Sequence, residues 1–180
     1  MRTPSLLAVV LLGSFLLTAT EPLAAQAGGD DVAPGGWAPP SLGARVGYDN
    51  KQQNEVLGAQ LRLPVLPSGE LELMPSMDVT FLLGLKEYQY NIEAVYVLDG
   101  RTGGLYAGGG LGFRNSIFAD GQGRRTETGY TVVAGFRLVG PYLIVPQLEY
   151  RWVFIDEAPV TYQQLTIGVN VALWRPVSRS

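Results

Sequence analysis

The stretch YLIVPQLEYRW, Tyr142 to Trp152, decides how this chain is read. Side chains along a β-strand alternate between its two faces. Tyr142, Ile144, Pro146, Leu148, Tyr150 and Trp152 therefore share one face, and Leu143, Val145, Gln147, Glu149 and Arg151 the other. The first face is apolar, aromatic at both ends and aliphatic between them. In a soluble protein it turns inward and Gln147, Glu149 and Arg151 meet water. In a membrane barrel the two sides exchange, and the rest of the chain has to distinguish the cases.

Seven other segments carry the same period of two, with turn residues between them. They are SLGARVGYD (41–49), VLGAQLRLPV (56–65), ELELMPSMDVTF (70–81), EYQYNIEAVYVL (87–98), LYAGGGLGFRN (105–115), TETGYTVVAGFRL (126–138) and QQLTIGVNVALW (163–174). No helical periodicity competes with them after the first residues. Eight short strands predict an all-β, eight-stranded antiparallel up-and-down barrel spanning residues 41–174, or a sandwich. The turn chemistry expects VGP (139–141) to be the tightest hairpin.

The polar faces distinguish inside from outside. They hold five arginines, Arg45, Arg62, Arg114, Arg137 and Arg151, against six carboxylates, Asp49, Glu72, Asp78, Glu93, Glu127 and Glu149. No lysine falls in the eight segments, and glycine recurs at Gly43, Gly58, Gly108, Gly110, Gly112, Gly135 and Gly168. A solvated face favours Lys and Glu, and glycine there weakens a strand while packing nothing. A narrow closed lumen favours glycine, which leaves room for the large groups opposite, and arginine, whose planar fork pairs with carboxylates bidentately. The apolar faces agree with the second case. They are aliphatic in mid-strand and carry Tyr48, Phe81, Tyr88, Tyr96, Phe113, Tyr130, Tyr142 and Trp152 towards strand ends, as expected of aromatic girdles around a lipid-facing band. The expected product is a transmembrane barrel whose arginines and carboxylates form an ion-pair network in the lumen. Pro64, Pro75 and Pro146 set a condition on this reading. A closed barrel has no free edge for a missing N–H, so Pro64 should end its strand, while Pro75 and Pro146 require bulges or local breaks.

The flanks concern export. Arg2 precedes the apolar run Leu6–Leu17, and Ala25-Gln26-Ala27 offers a small-x-small cleavage site, so residues 1–27 read as a cleaved signal peptide. Residues 28–40 form a flexible Gly/Pro-rich lead-in, and 175–180 a short tail. Removing Arg2 and Glu21 from 13 basic and 16 acidic residues leaves 12 and 15, still net −3. Neither that balance nor any basic tract favours a nucleic-acid partner. With no cysteine there is no disulfide to staple the domain, and with no histidine the Ser–His, Cys–His and His–metal chemistries are excluded. We expect no catalytic, cofactor or metal site.

The whole mature chain resembles the small eight-stranded outer-membrane barrels of the OmpA/OmpX type in its signal, amphipathic strands, charged lumen and lack of cysteine. Within TIGVNVALW, the residues Thr166, Gly168, Val171, Leu173 and Trp174 resemble the family's C-terminal β-signal, read by the outer-membrane assembly machinery. Members usually finish on an aromatic residue, whereas RPVSRS follows Trp174 here. The resemblance implies residence in the bacterial outer membrane, contact with its lipid, periplasmic chaperones during biogenesis, and a monomer. It also implies periplasmic turns at 67–69, 99–104 and 139–141, and outward loops around 50–54, 83–86, 117–125 and 154–160. The functional expectation is a non-enzymatic barrel with a side-chain-filled lumen and a structural or surface-interaction role. The alternatives are a soluble lipocalin-like carrier of a small apolar ligand, or a small pore.

Overall fold

Eight antiparallel strands follow one another around a closed ring: β1 Ser41–Asp49, β2 Asn54–Pro64, β3 Leu71–Leu82, β4 Leu85–Val97, β5 Gly104–Phe118, β6 Arg124–Arg137, β7 Ile144–Ile155 and β8 Thr161–Ala172. Each pairs with the next, and β8 pairs back onto β1 from Ser41–Ala172 to Asp49–Gln164, which closes the barrel. The computed structural model describes residues 38–82, 85–98, 104–118, 123–138, 144–155 and 161–173. The expected signal peptide (1–27), residues 28–37 of the lead-in, Trp174 and the tail 175–180 lie outside these. So do Tyr142 and the connection at 139–141, where the tightest hairpin is expected.

β7 answers the question of sides. Gln147, Glu149 and Arg151 are buried at 4% exposure or less, while Ile144 and Leu148 are 48% and 47% exposed. β8 repeats the pattern, with Gln164, Thr166 and Asn170 buried and Leu165, Ile167, Val169 and Val171 exposed. A lipocalin-like cup would place the apolar faces inside; here they cover the outside. Leaving them in water would forgo roughly 1.5–3 kcal/mol for each large aliphatic side chain, so the outer surface calls for an apolar surrounding. At ~3.3 Å per residue and a tilt of ~45°, eleven residues span roughly 25 Å, the height of a lipid-facing band.

The prolines are accommodated in three ways. Pro64 is the last residue of β2, and its β1 ladder has already ended at Ser41–Arg62. At Pro75 the β2–β3 pairing skips Leu61 and Arg62, then resumes at Leu63–Leu73 in unchanged register. Pro75 still faces Ile92 on β4. This is a local break, with no extra residue and hence no bulge. Pro146 has neither a bulge nor a break: its β8 pairing is continuous and its carbonyl accepts the Leu138 N–H at 2.9 Å. The N–H it lacks would point the same way, past the last β6–β7 pair, Arg137–Gln147. The end of the β6–β7 ladder absorbs the defect.

Among the described residues the aromatic belt is lopsided. Tyr48, Phe81, Tyr90, Phe113 and Tyr130 stand exposed towards the barrel end remote from Ser41 and Leu173, with Tyr130 stacked on Phe154 at 4.7 Å between ring centres. The other end carries Tyr96 and Phe136 among aliphatic residues such as Leu42, Leu73, Leu105 and Leu138. We call the aromatic end, which also carries the β1–β2 and β3–β4 connections, the outer end. Lys86, expected outside the strands, is the second residue of β4. It lies at this end and is exposed.

Candidate functional site: an ion network across the lumen

Alternation aims Arg45 (β1), Asp78 (β3), Glu93 (β4), Glu149 and Arg151 (β7) at the barrel axis, where all five are at most 3% exposed. Arg45 donates from Nε to Asp78 Oδ1 at 2.8 Å and from Nη2 to Oδ2 at 2.7 Å, a bidentate pair across the lumen. Its Nη1 reaches Glu149 Oε1 at 2.9 Å. Arg151 closes the circuit, with Nη1 to Asp78 Oδ2 at 3.0 Å and Nη2 to Glu149 Oε1 at 2.9 Å. Arg45, Asp78, Arg151 and Glu149 thus form a ring of alternating charge, and Glu93 holds the Nε and Nη2 of Arg151 at 2.8 and 2.7 Å.

Towards the inner end, Arg62 donates to Glu72 at 2.7 Å, and Arg137 donates to the other oxygen of Glu72 at 2.8 Å. The Arg62 guanidinium lies 4.3 Å from the Tyr106 ring centre, and the Tyr106 hydroxyl donates to Glu149 Oε2 at 2.9 Å. Gln60, Gln147 and Asn170 join β2, β7 and β8 through side-chain amides at 2.7–2.9 Å. The two groups of charges balance: Arg45, Arg62, Arg137 and Arg151 stand against Glu72, Asp78, Glu93 and Glu149. Neutrality matters here, because an uncompensated charge in this enclosed volume would carry its full desolvation penalty. Level with the Arg62–Glu72–Arg137 group, Met74, Val95, Val97, Tyr106 and Val133 form an apolar cluster inside the lumen.

Three of the eleven residues expected in the network, Asp49, Glu127 and Arg114, stand apart from it. Asp49 makes no ion pair among the described residues; its Oδ1 accepts the N–H groups of Lys51 and Gln52 at 2.9 Å each, capping the turn into β2. Glu127 pairs with the largely exposed Arg125 at 2.8 Å, at the rim. Arg114 forms a separate outer pair with Glu87, which also accepts from Ser116, and its guanidinium lies 3.7 Å from the Tyr162 ring centre. Glu87 was not expected, although it shares the parity of Gln89, Asn91 and Glu93. Tyr106 was missed because its neighbours Leu105 and Ala107 defined the apolar face.

Glycine makes the room. A Cβ at Gly58 would collide with Asp78 Oδ1, and one at Gly135 with the Tyr106 ring. At Gly110 the obstacle is a neighbouring backbone carbonyl, that of Ile92. In the segment expected to act as the β-signal, Thr166 and Gly168 face the lumen, Val171 faces out, and Leu173 lies just past the end of β8, 52% exposed.

Chemically, the arrangement is a set of charge-assisted hydrogen bonds tying non-adjacent strands together. The carboxylates of the central ring are already engaged by arginine, and among the described residues no group of three or more acidic side chains is placed to hold a metal ion.

No protein-family model matches the sequence, and no curated protein matches it. The fold does have solved counterparts. The crystal structure of neisserial surface protein A is similar at a TM-score of 0.54 and 16% identity, over 74% of this chain and 96% of that one. Ail, the attachment invasion locus protein of Yersinia pestis, gives a TM-score of 0.51 at 15% identity, over 74% and 95%. A designed transmembrane β-barrel gives 0.50 at 18%, over 78% and 97%. At these identities the likeness is one of fold, and the fold is that of the small outer-membrane barrels.

Proposed function

We propose that the chain is a non-enzymatic barrel of the bacterial outer membrane, exported by a signal peptide at 1–27, with a lumen closed by its own side chains. One observation carries the reading: large apolar side chains cover the outside, while arginines and carboxylates are buried and paired within. Such an inversion is stable only where the surroundings are less polar than the interior. Eight strands enclose a space that side chains can fill, and the ring around Arg45 and Arg151 lies above an apolar cluster at the inner end. These features support a closed lumen over the small-pore reading.

The role we assign is structural, with surface interaction through the outer loops. The names of two proteins of like fold, a surface protein and an attachment invasion locus protein, support that addition. Outer-membrane lipid is the principal partner. Thr166, Gly168, Val171, Leu173 and Trp174 would serve the assembly machinery as the final-strand signal, after periplasmic chaperones deliver a monomer.

The test is refolding of residues 28–180 with and without detergent, followed by gel mobility of boiled and unboiled samples and by planar-bilayer recording. Faster migration of the unboiled, detergent-refolded chain, with no conductance steps, is the expected result. A folded, detergent-free monomer would overturn the membrane assignment, and regular conductance steps would overturn the closed lumen.

A further inference from the structure

The turn between β1 and β2, residues 50–53, sits at the outer end and is shaped by its own hydrogen bonds. Asp49 Oδ1 accepts the N–H groups of Lys51 and Gln52, and the Asp49 carbonyl accepts that of Gln53 at 2.8 Å. The Asn50 N–H donates to the Gln163 carbonyl at 2.9 Å, which ties the turn to β8. Gln53 holds a left-handed φ of 54° without being glycine. Such a conformation persists only where the surroundings over-determine it.

A polar turn ordinarily points its side chains into water. Lys51 does so, and Gln52 does not. The Gln52 Nε2 reaches over β3 and donates to Glu87 Oε2 on β4, and its Oε1 is buried. The same Glu87 oxygen accepts Arg114 Nη2 on β5, while Oε1 accepts the Ser116 hydroxyl at 3.2 Å. The Arg114 guanidinium lies 3.7 Å from the ring centre of Tyr162, the residue before Gln163 on β8. Gln52, Glu87, Arg114 and Tyr162 therefore link across the mouth, starting on the β1–β2 turn and returning beside it. Glu87 and Arg114 are 8% and 2% exposed.

We propose that the β1–β2 turn is a lid folded into the outer mouth of the barrel, with Gln52 as its latch and the Glu87–Arg114 pair as its catch. The lid rests on the outer-membrane reading, in which this end meets the external solution. A hydrogen bond to a charged group makes a firm latch. It is also a single side chain, and the ladders of β1 with β2 and β8 stop at Asp49, so the lid lifts without unpairing a strand. Shut, it keeps external water from the Arg151–Glu93 and Arg45–Asp78 pairs, whose attraction a high dielectric would weaken. It also withdraws the β1–β2 turn from the surface and leaves contact with external partners to the other outer connections.

The test uses the full mature barrel refolded in detergent micelles. Thr131 is 2% exposed and lies opposite Val153, one inward-facing position outside Arg151. Thr131→Cys thus places a thiol beneath the lid. A charged thiol reagent should modify it far more slowly than Lys51→Cys at the exposed rim. Adding Gln52→Ala should speed the reaction roughly tenfold, as loss of one hydrogen bond to a charged group implies. A Thr131→Cys thiol that reacts as fast as Lys51→Cys, or that is indifferent to Gln52→Ala, overturns the lid. Boiled and unboiled gel mobility of each variant tells loss of the barrel apart from an open mouth. Amide hydrogen exchange gives a second reading without any cysteine. Gln52→Ala should hasten exchange of the Asn50 amide by a similar factor; unchanged exchange would mean that local bonds alone hold the turn, and would overturn the proposal.

Discussion

At the residue scale the barrel depends on arginine geometry more than on charge count. Arg45 engages both oxygens of Asp78 with one planar fork. Arg45→Lys keeps the charge and loses the fork, so we expect a cost of roughly 1–3 kcal/mol, the range for hydrogen bonds to charged groups, in urea unfolding in lipid vesicles. Arg151→Met is harsher, because Glu93, Asp78 and Glu149 all lose a partner. Breaking a buried pair from one side costs about 3–5 kcal/mol. A loss within 0.5 kcal/mol would mean that these contacts do not stabilise the barrel. The residue types were legible in the sequence, since alternation put Arg45, Asp78, Glu93, Glu149 and Arg151 on polar faces. Their pairings were not. Arg45 meets Glu149 across 104 positions of chain, and only closure of the barrel brings them together.

At the element scale, alternation located all eight strands, and it failed where both faces of a strand are apolar. Glu93-Ala94-Val95-Tyr96-Val97 reads as polar-in only up to Glu93; beyond it Val95 and Val97 turn into the lumen and pack with Met74, Tyr106 and Val133. Period two reports a contrast between faces, and an apolar plug erases that contrast. Proline was legible as a constraint, but its resolution was not, because whether a missing N–H matters depends on which neighbour it faces. The break opposite Pro75 leaves Leu61 outside the β2–β3 pairing. We predict that the Leu61 amide exchanges its hydrogen faster than those of Leu57 and Ala59, and that Pro75→Val slows it. Equal rates in the native chain would mean that the ladder is intact there. Gly58→Ala belongs to this scale as well, since it pushes β2 against the Arg45–Asp78 pair; overpacking of this kind costs typically 1–3 kcal/mol, read as a lower urea midpoint.

At the scale of the whole molecule, the strands share one inversion: buried charged side chains face the lumen, and large aliphatic and aromatic side chains cover the outside. A spin label attached through a single introduced cysteine tests it most directly, because the chain has no cysteine of its own. Labels would replace Leu148 and Ile167, outward neighbours on β7 and β8 that are 47% and 49% exposed. In lipid vesicles, power saturation should show both labels relaxed strongly by oxygen, which dissolves in the bilayer, and hardly at all by a water-soluble nickel complex. Labels relaxed by nickel, and indifferent to oxygen beyond its level in water, would contradict the lipid-facing outside on which the account rests.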